Sequence, residues 1–187
     1  MVNSDKTGES RKTVYGTILE IQRMSTEDGP GLRTTVFFKG CSLACSWCHN
    51  PESIKLKPEP PWVGSRCIFC GLCLEQCGEK ALSVQGREIL IDRRLCSACG
   101  ACVRECPSGA LELLGKKWQP EELAEELAKD QSFFSHSKGG VTLSGGEAVI
   151  QYEFCAELLK NLKSRGISTA LDTCGEYPFE YIEPMLP

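Results

Sequence analysis

The sequence predicts an α/β fold, a parallel sheet built from alternating strands and helices and interrupted by a small α+β unit. Two observations carry this reading. Strand-like and amphipathic helix-like segments alternate through the last third of the chain, the signature of a parallel sheet. Ahead of them, an eight-cysteine stretch consists of one segment written twice. With 187 residues and 41% hydrophobic content, the chain is long enough for one packed domain of ordinary size and a small insertion. Residues 1–60 are expected to hold the first strands and a cysteine loop, 61–116 the insert, and 117–187 the continuation of the sheet.

In chain order, TVYGTILEIQRMS alternates apolar residues as a strand does, and EDGPGLR is a turn broken by Gly29, Pro30 and Gly31. TTVFFKGC is β-branched and aromatic, a buried strand that delivers Cys41 at its carboxyl end. After the insert, Pro120 opens the helix PEELAEELAKD, with Leu123, Ala124, Leu127 and Ala128 on one face. The strand GGVTLSGGE follows, ending in Gly145, Gly146 and Glu147. The next helix lines up Phe154, Cys155, Leu158, Leu159 and Leu162 on one stripe. A third strand, ISTALDTCG, leads into FEYIEPMLP. In parallel sheets the working residues gather at the carboxyl ends of the strands, where Cys41, Glu147 and Asp172 all fall.

Composition excludes several functions. A net charge of -4 supplies no basic field for nucleic acid or an anionic membrane. The start MVNSDKTGESRK is polar and lacks the apolar run of a secretory signal, and no later stretch is long enough to span a bilayer. The expected location is the cytoplasm. A reducing compartment keeps thiols free, so 13 cysteines there point to metal rather than to disulfides.

Those cysteines fall into three runs and two singles. CSLACSWCHN places Cys41, Cys45 and Cys48 close together, and three thiolates can hold a metal or cluster while leaving one position open. His49 as a fourth ligand would close the site as a zinc centre. CIFCGLCLEQC (Cys67, Cys70, Cys73, Cys77) recurs as CSACGACVREC (Cys96, Cys99, Cys102, Cys106), with Ala81 and Leu82 falling on Ala110 and Leu111. Each copy matches the run of bacterial two-cluster ferredoxins, in which the fourth cysteine ligates the other cluster. That likeness implies one 4Fe-4S cluster on Cys67, Cys70, Cys73 and Cys106, and a second on Cys96, Cys99, Cys102 and Cys77. Gly78 stands where the second copy has Pro107, which weakens the fixed turn after Cys77 but removes no ligand. The alternative for these runs is a pair of structural zinc sites.

DGPGLRTTVFFKGCSLACSWCHNPES, the doubled insert, VTLSGGEAVIQ and ALDTCG together resemble a glycyl-radical-enzyme activating enzyme of the radical S-adenosylmethionine (SAM) superfamily, from Tyr15 onward. The resemblance implies a partial (β/α) radical SAM barrel, its N-terminal strands only, with an inserted α+β bacterial-ferredoxin-like domain. Further strand-helix units would follow, so the chain reads as truncated before a fourth parallel strand, leaving an unpaired apolar edge. The insert points to the activases that carry one, unlike those of pyruvate formate-lyase and anaerobic ribonucleotide reductase.

By the same resemblance, Cys41, Cys45 and Cys48 hold a third 4Fe-4S cluster whose fourth iron is chelated by the amino and carboxylate groups of SAM, so His49 is not a ligand. Reductive cleavage of SAM then yields a 5'-deoxyadenosyl radical that takes hydrogen from a glycine of a partner glycyl radical enzyme. A flavodoxin or ferredoxin would supply electrons. SAM contacts are implied for Trp47, Cys48, His49 and Asn50, chiefly through the local backbone, and for Gly145, Gly146 and Glu147. Asp172 and Thr173 would help bind a monovalent cation.

Each residue also has a plainer reading. Trp47 could be an apolar anchor, Gly145 and Gly146 a tight turn, Glu147 a solvated loop charge, and Asp172 with Thr173 a helix N-cap. Cys155 reads as core filling and His136 as an exposed residue of a Ser- and Gly-rich loop, while Cys174 receives no role. Two other functions are compatible with parts of the pattern. A ferredoxin-type electron carrier leaves Cys41, Cys45 and Cys48 unexplained, and a radical SAM enzyme acting on a small molecule does not require the insert.

Overall fold

The structure is a computed structural model that describes residues 13–186. The polar start MVNSDKTGESRK lies outside the described residues. Strands β1 (Gly16–Ser25), β2 (Arg33–Phe38), β5 (Lys116–Trp118), β6 (Gly140–Gly145) and β7 (Ser168–Leu171) form one sheet in the order β5-β1-β2-β6-β7. The three expected parallel strands are present, with β2 paired to β6 and β6 to β7 in parallel. The sheet as a whole is mixed, because β1 runs antiparallel to both β2 and β5. A short turn through EDGPGLR joins β1 to β2, and a turn of that length permits only antiparallel pairing.

Helices α3 (Pro120–Ala128) and α5 (Tyr152–Ser164) cover one face of the sheet. Pro120 sits in the first turn of α3, where its missing N–H costs nothing, and Gln119 and Glu122 close a capping box. The helical stripes read from spacing are the buried ones: Leu123, Ala124 and Leu127 on α3, and Phe154, Cys155, Leu158, Leu159 and Leu162 on α5. They meet Ile18, Val36, Phe38, Val141 and Leu143 of the sheet in one core. Phe38 and Phe154 pack edge to face with ring centres 6.0 Å apart.

A helix stands where the sequence suggested a loop: α4 (Gln131–Ser137) contains His136, which is exposed as expected. Phe134 alone of this short helix is buried, which leaves too little apolar periodicity to betray it. The N-cap reading of Asp172 and Thr173 is not realised, since the next helix, α6 (Phe179–Ile182), starts after Pro178. The free edge β7 is less apolar than expected, with Ser168 and Thr169 exposed, while Met185 folds back against the core.

Between β2 and β5 the duplicated segments take up duplicated backbone. Helix α1 (Leu72–Glu75) follows Gly71, and α2 (Ala101–Arg104) follows Gly100, both glycines at positive φ. Phe69 and Ala98, at matching positions, share positive φ of 56° and 59°. After α1 the chain forms the hairpin β3 (Leu82–Gln85) and β4 (Glu88–Ile91). The corresponding residues after α2 pair instead with the incoming chain, Leu111 with Trp62 and Leu114 with Glu59.

Candidate functional site

Three loops meet at the carboxyl edge of the parallel strands. The loop after β2 carries Cys41, Cys45 and Cys48 and is closed at its base by the Gly40 and Cys41 N–H groups, which donate to the carbonyls of Ser53 (2.6 Å) and Ile54 (2.9 Å). Within it, the Cys48 N–H donates to the Cys45 carbonyl at 3.1 Å, and Ser53 donates through N–H and Oγ to the Asn50 carbonyl. All three thiols are half-buried and free. Trp47 is 83% exposed, so it is not a buried apolar anchor among the described residues. His49 is also exposed.

The loop after β6 lies directly on the first. Gly145 has a φ of +114°, and a Cβ there would stand 2.2 Å from the Phe38 nitrogen; a Cβ on Gly146 would stand 2.3 Å from the Gly40 carbonyl oxygen. The missing side chains let this turn bond to the chain that feeds Cys41, with Gly146 N–H donating to Phe38 O (3.0 Å) and Glu147 N–H to Gly40 O (2.7 Å). The plain reading of the two glycines as a tight turn is therefore realised.

Glu147 departs from both expectations. It is 1% exposed, not a solvated charge. Nor does its carboxylate face an open site. Oε1 accepts from the Val149 N–H at 3.0 Å and Thr173 Oγ1 at 2.9 Å, and Oε2 accepts from the Cys174 N–H at 2.8 Å and Thr173 Oγ1 at 3.0 Å. A buried carboxylate needs such donors to offset its lost hydration.

The loop after β7 completes the edge. Asp172 N–H donates to the Leu143 carbonyl at 2.8 Å, and its Oδ2 accepts from Ser144 Oγ at 2.7 Å. Oδ1 accepts no hydrogen bond from the described residues, and Asp172 is exposed. The structure thus brings together the strand ends bearing Cys41, Glu147 and Asp172, and gives the two carboxylates opposite surroundings.

Sequence reasoning missed Ser144 and Lys39. Lys39 is fully buried, its Nζ donating to the Glu52 carbonyl at 2.6 Å, and burial lowers its pKa against the opposing pull of Glu59 and Glu52. A lysine directly after the apolar run Val36–Phe38 was the available signal.

The remaining paired cysteines line two small pockets in the duplicated region. One is walled by Cys67, Cys70, Cys73 and Cys106 with Trp62 and Ile89, the other by Cys77, Cys96, Cys99 and Cys102 with Pro60 and Ile91. Burial and then the neighbouring thiols Cys106, Cys67 and Cys70 push the Cys73 thiol up; burial and then Cys77, Cys96 and Cys99 do the same to Cys102. Backbone N–H groups point at the exchanged sulfurs, Ala81 to Cys77 Sγ at 3.3 Å and Ala110 to Cys106 Sγ at 3.2 Å. Among the described residues, no three His, Cys, Asp or Glu side chains converge closely enough to hold a single metal ion. Cys155 is fully buried and donates to the Ala148 carbonyl at 3.2 Å, which is the core role expected of it; Cys174 is exposed.

The family model of the 4Fe-4S single cluster domain matches residues 27–184. A (2S)-3-sulfopropanediol sulfolyase activating enzyme of Bilophila wadsworthia is 45% identical over 90% of this chain and 57% of its own length. A trans-4-hydroxy-L-proline dehydratase activating enzyme of Clostridioides difficile is 42% identical over 84% of this chain and 53% of its own. The pyruvate formate-lyase 2-activating enzyme of Escherichia coli is 38% identical over 95% of this chain and 52% of its own. The chain spans about half the length of these curated relatives. It belongs to the 4Fe-4S single cluster domain family, and its resemblance to glycyl-radical-enzyme activating enzymes holds over most of its length.

Proposed function

We propose that the chain forms the SAM-cluster half of a glycyl-radical-enzyme activating enzyme, working in the cytoplasm on a partner glycyl radical enzyme with electrons from a flavodoxin or ferredoxin. The observation that carries this reading is the junction of three strand-end loops, one with three free thiols, one with the Gly145–Gly146 turn and one with the free oxygen of Asp172. Three thiols on one closed loop leave a cluster iron open to a chelating cosubstrate.

The donor sets fit three 4Fe-4S clusters. Eleven free thiols fall into one loop and two four-thiol pockets, and thiols that surround a space without converging on one point suit a cluster that brings its own sulfide better than a lone ion. N–H donors at Cys77 and Cys106 would stabilise bound thiolates. Cys41, Cys45 and Cys48 would hold the SAM cluster. Cys67, Cys70, Cys73 and Cys106, and Cys96, Cys99, Cys102 and Cys77, would hold the clusters of a ferredoxin-like insert over 61–116. A cluster held by Cys41, Cys45 and Cys48 would supply one electron for reductive cleavage of the S–C5' bond of SAM, which would release methionine and leave a 5'-deoxyadenosyl radical able to take hydrogen from the partner's glycine.

The chain's own residues do the holding. The backbone of Trp47, Cys48, His49 and Asn50 and the Gly145–Gly146 turn would receive the methionine part of SAM. Asp172 Oδ1, kept in place through Oδ2 by Ser144, is the carboxylate available to an N–H of the iron-bound SAM amino group or to a monovalent cation, with Thr173 beside it. Iron, sulfide and zinc analysis of anaerobically reconstituted protein tests the reading: about 12 irons per chain are expected from three four-iron clusters. Zinc in place of iron, or a reduced cluster whose paramagnetic resonance signal ignores SAM, would overturn it.

A further inference from the structure

We infer that Glu147 is a positioning residue: its buried carboxylate clamps the Asp172–Cys174 loop onto the Gly145–Gly146 turn and so sets where Asp172 stands at the mouth of the site. The inference rests on the SAM-binding reading above, but it removes Glu147 from direct contact with SAM.

Glu147 is bonded to all three strand-end loops. Its N–H holds the Gly40 carbonyl beside Cys41, its Oε1 holds the Val149 N–H on its own loop, and its Oε2 holds the Cys174 N–H on the loop after β7. Thr173 Oγ1 spans both carboxylate oxygens at 2.9 and 3.0 Å while accepting the Gly175 N–H at 3.1 Å, so its single proton is directed at Glu147. The carboxylate thus takes three donors and has no free edge toward solvent, whereas Asp172, immediately before Thr173, is exposed with one oxygen uncommitted. Two backbone N–H groups approach opposite oxygens of Glu147. An amide in its place would turn an NH2 donor against one of those donors, so glutamine has the right shape and the wrong chemistry here. Were Glu147 to bind SAM directly, Thr173 would be incidental.

The full-length enzyme with reconstituted clusters provides the test, by SAM titration of the reduced cluster's paramagnetic resonance signal. Glu147→Gln and Thr173→Val should each weaken SAM binding by about tenfold, the scale of a lost hydrogen bond to a charged group. Thr173→Ser, which keeps the hydroxyl, should stay within about twofold of wild type, and the double variant Glu147→Gln with Thr173→Val should bind no worse than Glu147→Gln alone. Amide hydrogen exchange at Cys174, measured without SAM, should quicken in Glu147→Gln. An unchanged affinity in Thr173→Val, or penalties that multiply in the double variant, would overturn the clamp. A wild-type signal indifferent to SAM would instead overturn the function on which it rests, whatever the exchange at Cys174 shows.

Discussion

The Arg33 side chain is buried with its Nε donating to Thr142 Oγ1 at 2.6 Å, so the first residue of β2 is tied across to β6 at the end remote from the cysteines. Arg33 also donates to the carbonyls of Val141 at 2.7 Å and Pro30 at 3.3 Å, and Thr142 Oγ1 donates to the Asp28 carbonyl at 2.8 Å. The turn EDGPGLR is thereby tied to β2 and β6 through the carbonyls of Asp28 and Pro30.

Arg33→Ala should therefore destabilise the protein by about 3 kcal/mol, the scale for leaving buried polar partners unmet. Thermal unfolding of the cluster-loaded protein checks this. The cluster content before heating should match wild type, because no described hydrogen bond joins Arg33 to a cysteine loop.

Gly145→Ala strikes the other end of the same strand. It adds a Cβ at a φ of +114° and 2.2 Å from a backbone nitrogen, so β6 must move off β2. Loss of about 3 kcal/mol or more is expected, together with weakened SAM binding. Gly166→Ala is the control for backbone conformation alone, with φ of +72° and open space around its Cβ; its cost should be about 1 kcal/mol.

The three thiol groups are disjoint, so their losses should be separable. Cys45→Ala should abolish SAM cleavage while leaving about eight irons in the two four-thiol pockets. Cys99→Ala should leave SAM binding in place and slow turnover with a physiological reductant. Iron analysis with detection of 5'-deoxyadenosine distinguishes the two.

Two cysteines outside these groups differ in reactivity. Burial, with the negative charge of Glu147 adding to it, pushes the Cys155 thiol far above its ordinary value; desolvation and the Glu147 carboxylate also raise the Cys174 thiol, but Cys174 is exposed to reagent. Thiolate is the nucleophile, so native protein with its clusters intact should be alkylated at Cys174, more slowly than an ordinary exposed thiol and faster as pH rises above about 8, and not at Cys155. Peptide mass analysis reads this directly, and Cys155 should react only after unfolding.

Much of this architecture is legible in the residues alone. The stripes of α3 and α5, the Pro120 start, the three parallel strands and the doubled cysteine unit each leave a local trace, because helical and strand periodicities record which face is buried and a duplication repeats its own letters. The convergence of Cys41, Glu147 and Asp172 was readable too, since the carboxyl ends of parallel strands share one edge. Tertiary structure alone decided the rest. Three residues of β5 have too little pattern to announce an antiparallel edge, and α4 buries a single aromatic side chain. The two carboxylates at the mouth look alike in sequence, each at a strand end. Glu147 is sealed by Val149, Thr173 and Cys174, while Asp172 keeps an oxygen free. Which is strut and which is open acceptor depends on hydrogen-bond partners more than 20 residues away along the chain, and contacts of that separation leave no mark on local periodicity.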